Sequence, residues 1–130
     1  MRNLLVEKWE KQLKTVFDKI DDMLEEKFGH LFPLHPSRSA RHEAANKEDG
    51  GLFDVTPAFT AGIASPTGPG YFFRIRWATL SYVPEDLRSN VEEAVLHELQ
   101  QSLPGAFPGK NLQVVREGAG FKIIGDLSLD

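Results

Sequence analysis

The chain has 130 residues, 41% of them hydrophobic and 26% charged, with a formal net charge of −4. That length and balance describe one ordinary folded domain with a single core and exclude a disordered chain, while the acidic excess argues against nucleic-acid binding by phosphate neutralisation. Cysteine is absent, which rules out disulfides, thiol catalysis and cysteine-ligated zinc and fits a reducing compartment.

No apolar run approaches the ~20 residues of a membrane span. The opening MRNLLVEKWEKQ interrupts its apolar residues with charge at once, unlike a secretory signal. A cytoplasmic chain is the expectation, organised as a helix to residue 28, a polar loop over 29–51, and a sheet-and-helix core over 52–130.

The 3–4 spacing of Val6, Trp9, Leu13, Val16, Ile20 and Met23, widened by Leu5, Phe17 and Leu24, predicts one amphipathic helix over residues 3–28. Asp18, Asp21, Asp22 and Glu25 fall among the residues assigned to its polar side, and Gly29 marks its end. Such a helix is roughly 39 Å long, more than the ~17–20 Å of a typical strand. Part of the stripe is therefore expected to overhang the sheet, either as a helix that packs along the domain and extends beyond it or with the seam Val6, Trp9, Leu13 and Val16 as a contact with a second copy.

Residues 29–51 have no hydrophobic period. They hold His30, His35, His42, Arg38 and Arg41, and close on Gly50-Gly51. A surface loop of that length inside a domain is uncommon and is usually functional or disordered. Ala40–Lys47 has the composition for one or two helical turns.

From Leu52 the pattern alternates. Phe53, Val55, Phe59, Ala61 and Ile63 share one face, with Pro57 marking an edge or a bulge. The turn-rich Ser65–Gly70 joins this strand to Tyr71–Tyr82, whose odd-numbered residues Tyr71, Phe73, Ile75, Trp77 and Thr79 form a buried face and whose Arg74 and Arg76 point the other way. A register centred on Gly68 places Ile63 opposite Phe73, Ala61 opposite Ile75 and Phe59 opposite Trp77.

Val83-Pro84 begins a second helix, with Leu87, Val91, Ala94, Val95, Leu99 and Leu103 as its buried stripe and Pro104-Gly105 as its end. Leu112–Glu117 and Phe121–Leu129 form a second hairpin about a type II′ turn at Gly118-Ala119. There Leu112, Val114, Phe121, Ile123, Leu127 and Leu129 share a face, opposite Val115, Glu117 and Lys122. The expected fold is α+β: a long helix, then hairpin, helix and hairpin, giving about four antiparallel strands with the helices mainly on one face.

No motif specifies a reaction. His42-Glu43 and His97-Glu98 begin like H-E-x-x-H but lack the second histidine that would complete a chelating pair on one helix face. Gly68-Pro69-Gly70 leads into a strand, whereas a phosphate loop opens a helix. Ser65 is not in a G-x-S-x-G elbow. No cofactor or metal is expected.

Two functions follow. The over-long helix and possible open sheet edges point to a non-enzymatic association domain working as a homo-oligomer or with a protein partner, without nucleic acid or membrane. The alternative is an enzyme or a binder of small anions, with His35, Arg38, Arg41 and His42 of the loop set against Arg74 and Arg76.

Overall fold

The computed structural model describes residues 4–44 and 49–128, the side chains of Leu5 and His42 excepted. In chain order the elements are α1 (Leu4–Phe28), β1 (Phe53–Asp54), β2 (Ala58–Thr60), β3 (Gly70–Phe73), β4 (Arg76–Trp77), α2 (Glu85–Ala106), β5 (Leu112–Glu117) and β6 (Gly120–Gly125). A short 3₁₀ turn spans Arg41–Glu43, within the stretch expected to be helical; residues 45–47 of that stretch, like Leu129, lie outside the described residues. The fold is α+β, with a four-stranded antiparallel sheet in the order β2-β3-β6-β5 and a second antiparallel pair, β1 with β4. Among the described residues no helix is long and apolar enough to cross a membrane.

The aromatic segment is extended, and it buries the face its alternation predicts. Tyr71 and Phe73 are buried, Ile75 and Trp77 half-buried, and Arg74 and Arg76 exposed. It is not one strand, however. Both of its ladders keep a single register, with Phe53 opposite Trp77, Asp54 opposite Arg76, Ala58 opposite Phe72 and Thr60 opposite Gly70. Residues 55–57 and 73–75 are thus the gap in a broken hairpin. Pro57, which has no N–H to give to a ladder, sits in that gap.

The register expected about Gly68 is displaced. Phe59 lies opposite Tyr71, and Trp77 opposite Phe53. An even displacement leaves each side chain on its predicted face, because the pleat repeats every two residues. It does lengthen the loop to residues 61–69, so Ile63 is 95% exposed and Phe59 57% exposed instead of buried.

The helical stripe is covered from Trp9 to Leu24, with Trp9, Leu13, Val16, Phe17, Ile20 and Leu24 all buried. No overhang arises there, because α1 packs along both α2 and β1. Trp9 stacks between Tyr71 at 5.1 Å and Phe107 at 4.2 Å, and Phe17 meets Phe73 edge-on at 5.1 Å. α2 runs past Pro104 to Ala106. A proline in the last turn removes one hydrogen bond, and the buried Leu103 and Phe107 on either side hold that turn to the core, with Phe107 N–H donating to Leu103 C=O at 2.9 Å.

The second sheet face is closed by the 61–69 loop. Lys122 points into it, wholly buried, and its ammonium donates to Ser65 Oγ at 2.9 Å and Gly68 C=O at 2.6 Å and pairs with Glu117 Oε1 at 3.1 Å. Ser65 and Thr67 hydroxyls donate to the same Glu117 oxygen. These donors hold the Glu117 carboxyl down to about 2, the hydrogen bonds from Ser65 and Thr67 ahead of the Lys122 charge.

Candidate functional site

The second hairpin has the predicted register, Glu117 opposite Gly120 and Leu112 opposite Gly125. Gly118 takes φ +58 and Ala119 stays at negative φ, as a type II′ turn requires. A two-residue turn closes on a hydrogen-bonded pair, and such pairs alternate along an antiparallel ladder. Glu117, Val115 and Gln113 therefore exchange bonds with β6. Asp126 N–H donating to Asn111 C=O at 3.1 Å continues the alternation.

It follows that Leu112, Val114 and Arg116 direct their N–H and C=O groups outward. Among the described residues nothing bonds to them, so β5 is an open edge. Beside it Leu112 and Val114, with Leu96, Leu99 and Leu103 of α2, line a cavity of about 470 Å³. Arg116 pairs with Glu92 of α2 at 2.7 Å and covers the Phe121 ring at 4.6 Å.

Two other edges, those of β1 and β2, carry devices absent from β5. On β1, Glu25 of α1 accepts the N–H groups of Leu52 and Phe53 at 3.0 and 2.9 Å. The guanidinium of Arg38 takes the carbonyls of Gly51, Gly50 and Phe53 at 3.0, 3.2 and 3.0 Å. Gly51 admits this clamp: its φ is +83, and a Cβ there would lie 2.6 Å from the Glu25 carboxylate. On the far side of the larger sheet, β2 is three residues long and follows Pro57.

Of the six residues expected to bind a ligand, the five whose side chains are described engage different parts of the structure. Arg38 serves the β1 edge. Arg41 pairs with Asp21 at 2.9 Å and with Asp22, tying the loop to α1. His35 donates its main-chain N–H to Ala78 C=O at 2.7 Å, and its ring Nδ1 accepts from Ser37 N–H at 3.1 Å. The His42 side chain lies outside the described residues. Arg74 and Arg76 are exposed and share a shallow cavity with Ile75, Trp77 and Arg88, to which the 29–51 loop contributes no lining residue. Of the four residues expected to meet a second copy, Trp9, Leu13 and Val16 are buried in the chain's own core and Val6 is half-buried. Among the described residues no group of three or more His, Asp or Glu side chains is disposed to hold a metal ion.

Two residues assigned to polar surfaces turn out to be buried. Asp21 is 2% exposed; burial pushes its carboxyl up to about 7, more than the neighbouring Arg41 returns. The signal was available, since Asp21 is four residues after Phe17 and three before Leu24, inside the apolar stripe. Arg41 gains from two carboxylates: burial opposes its charge, but hydrogen bonds to Asp22 and Asp21 outweigh that and raise its pKa. Lys122 had no such signal, because the loop that buries it pairs with it from 54 to 57 residues away. Its approach to Ser65 resembles a serine–lysine nucleophile only in distance. All three ammonium donors already have acceptors, so no lone pair is available for the hydroxyl proton.

A family model described as "Uncharacterised protein" matches residues 5–125, which runs from the first turn of α1 to the end of β6. A protein of Borreliella burgdorferi described as "Uncharacterized protein" is 38% identical over 106 residues, covering 82% of this chain and 83% of its own length. No solved structure matches.

Proposed function

The chain belongs to that uncharacterised family, and we propose that it acts as an association domain whose partner adds a strand to β5, the partner being a second copy of the chain. The supporting observation is the contrast between edges: β1 is clamped by Glu25 and Arg38, β2 is short and follows Pro57, and β5 is a run of six residues in which the outward groups of Leu112, Val114 and Arg116 are unmet among the described residues. An antiparallel register centred on Val114 pairs Leu112 with Arg116 of the second copy, Gln113 with Val115, and Asn111 with Glu117. No like charges meet, and the outward groups of all three residues find partners. The cavity beside α2, lined by Leu96, Leu99, Leu103 and Val114 together with Gln100 and Lys110, receives side chains from the added strand.

Sedimentation or light scattering on the whole chain tests this. The expected result is a dimer that Val114→Pro converts to monomer. That substitution removes an outward N–H and no bond to β6, so circular dichroism stays unchanged. A chain that stays monomeric at high concentration, or a dimer indifferent to Val114→Pro, overturns the reading.

A second reading, anion binding on the outer face of β4, is favoured by Arg88, which joins Arg74 and Arg76 around Trp77. Phosphate titration followed at the Trp77 indole, with Arg76→Ala as control, tests it; no saturable shift rejects it.

A further inference from the structure

The broken hairpin of β1–β2 against β3–β4 omits one hydrogen-bonded pair. Ala78 N–H donates to Leu52 C=O at 2.7 Å, and bonded pairs alternate along an antiparallel ladder. In the single register of both ladders the bonded positions are therefore Asp54 with Arg76, Thr56 with Arg74, Ala58 with Phe72 and Thr60 with Gly70. Three of these lie within ladders. Thr56 with Arg74 falls in the gap, and among the described residues no main-chain bond joins them. Two N–H and two C=O groups are thus left unmet where such groups normally find partners. The same two residues line a cavity of about 250 Å³, with Asp54 and Arg76.

The side chains around the gap carry a consistent charge. Arg74 and Arg76 also line the cavity of about 330 Å³ that holds Trp77 and Arg88, so the two cavities meet at the arginine pair. Elsewhere guanidinium groups are engaged: Arg41 by Asp21 and Asp22, Arg116 by Glu92, and Arg38 by three carbonyls. Arg74 and Arg76 have no side-chain acceptor among the described residues, although the chain has an acidic excess. Arg88 reaches only Val83 C=O, at 3.3 Å. Asp54, directly across the ladder from Arg76, makes no ion pair with it. Its Oδ1 accepts the Thr56 hydroxyl at 2.7 Å, and its Oδ2 accepts nothing among the described residues.

We propose that this groove binds a phosphorylated sugar, its phosphate held by Arg74, Arg76 and Arg88 beside Trp77 and its hydroxyls donating to Asp54 and to the unmet carbonyls of Thr56 and Arg74. This names the ligand class of the anion site on β4 and rests on that reading. Three guanidinium groups and two open N–H groups suit a dianionic phosphate. A carboxylate and two carbonyls on the same wall only accept hydrogen, so the rest of the ligand must carry donors; sugar hydroxyls supply them and an alkyl chain does not.

Four probes test it on the full chain at constant ionic strength: inorganic phosphate, butyl phosphate, glucose 6-phosphate and glucose. Binding is followed by NMR at the Trp77 indole N–H and the Thr56 and Arg74 amides, with the Trp9 indole as internal control. Glucose 6-phosphate is expected to bind about tenfold or more tightly than butyl phosphate, which bears the same phosphomonoester, with glucose weakest. Asp54→Asn removes most of that preference and keeps the binding of inorganic phosphate, whereas Arg76→Ala weakens all three phosphates. The comparison of glucose 6-phosphate with butyl phosphate on the native chain decides the matter even if Asp54→Asn unfolds. Phosphate binding with no preference for the sugar ester, or a preference unchanged in Asp54→Asn, overturns this proposal and leaves the anion site standing. No saturable shift with any phosphate removes the anion site and this proposal together.

Discussion

Asp21 and Arg41 face each other at 2.9 Å where the long loop crosses α1, and the carboxylate is 3% exposed against 23% for the guanidinium. The asymmetry decides the electrostatics. Arg41 keeps access to water and gains a second partner in Asp22. Asp21 loses its hydration, and one guanidinium does not offset that loss, the more so with Glu25 and Asp22 adding negative charge nearby.

A pH dependence follows from this pair. The Asp21 carboxyl is raised from 3.8 to about 7 in the folded chain, so the folded state holds a proton that the unfolded state releases. Between those values stability falls as pH rises, and the cost of the buried charge is complete above about 7. Glu117 works in the opposite direction in a lower window, its contribution present above its ordinary 4.5 and lost as pH falls toward about 2. Urea unfolding is therefore expected to show greater stability near pH 5 than near pH 8. Asp21→Asn, which keeps the shape without the charge, should remove most of that difference. An unchanged difference in the variant would sink the assignment.

The buried ammonium under the 61–69 loop predicts an order of damage. Glu117→Gln leaves Lys122 buried beside a neutral group, whereas Lys122→Met leaves Glu117, which is 28% exposed, with its hydroxyl donors and access to water. Glu117→Gln should thus lower the unfolding midpoint more than Lys122→Met. Both variants should speed proteolytic cutting within residues 61–69, because the ammonium and carboxylate are what hold that loop to the sheet. The reverse order of midpoints would count against the network.

The β1 clamp predicts a coupling between two sites. Gly51→Ala meets two obstacles, a left-handed φ of +83 and the Glu25 carboxylate where the new Cβ must go. The first costs about 1 kcal/mol wherever it occurs; the second exists only while Glu25 is present. In a double-mutant cycle of chemical unfolding, Gly51→Ala should cost less in a Glu25→Ala background than in the native chain, with an interaction of about 0.5–3 kcal/mol. Simple additivity would mean that the carboxylate does not occupy that space.

Repeating patterns carried much of the fold in the one-dimensional chain. The 3–4 spacing from Val6 to Met23 made α1 readable, and the turn pair Gly118-Ala119 set the β5–β6 register residue by residue, because a two-residue turn leaves the strands no other alignment. Alternation likewise assigned the buried side of Tyr71–Trp77, though not where the ladder breaks. The register opposite that segment depended on something alternation does not encode: residues 61–69 fold back over Lys122, so the turn is longer than its prolines and glycines suggest. The destinations of Arg38 and Arg41, the burial of Asp21, and the choice of which edge is clamped and which stays open arise from residues that meet across 12 to 57 positions of chain. Local spacing says what a residue's own element will be. Which charge finds a partner, and which carboxylate loses its water, depends on the packing of elements distant in sequence, and only the tertiary structure decided it.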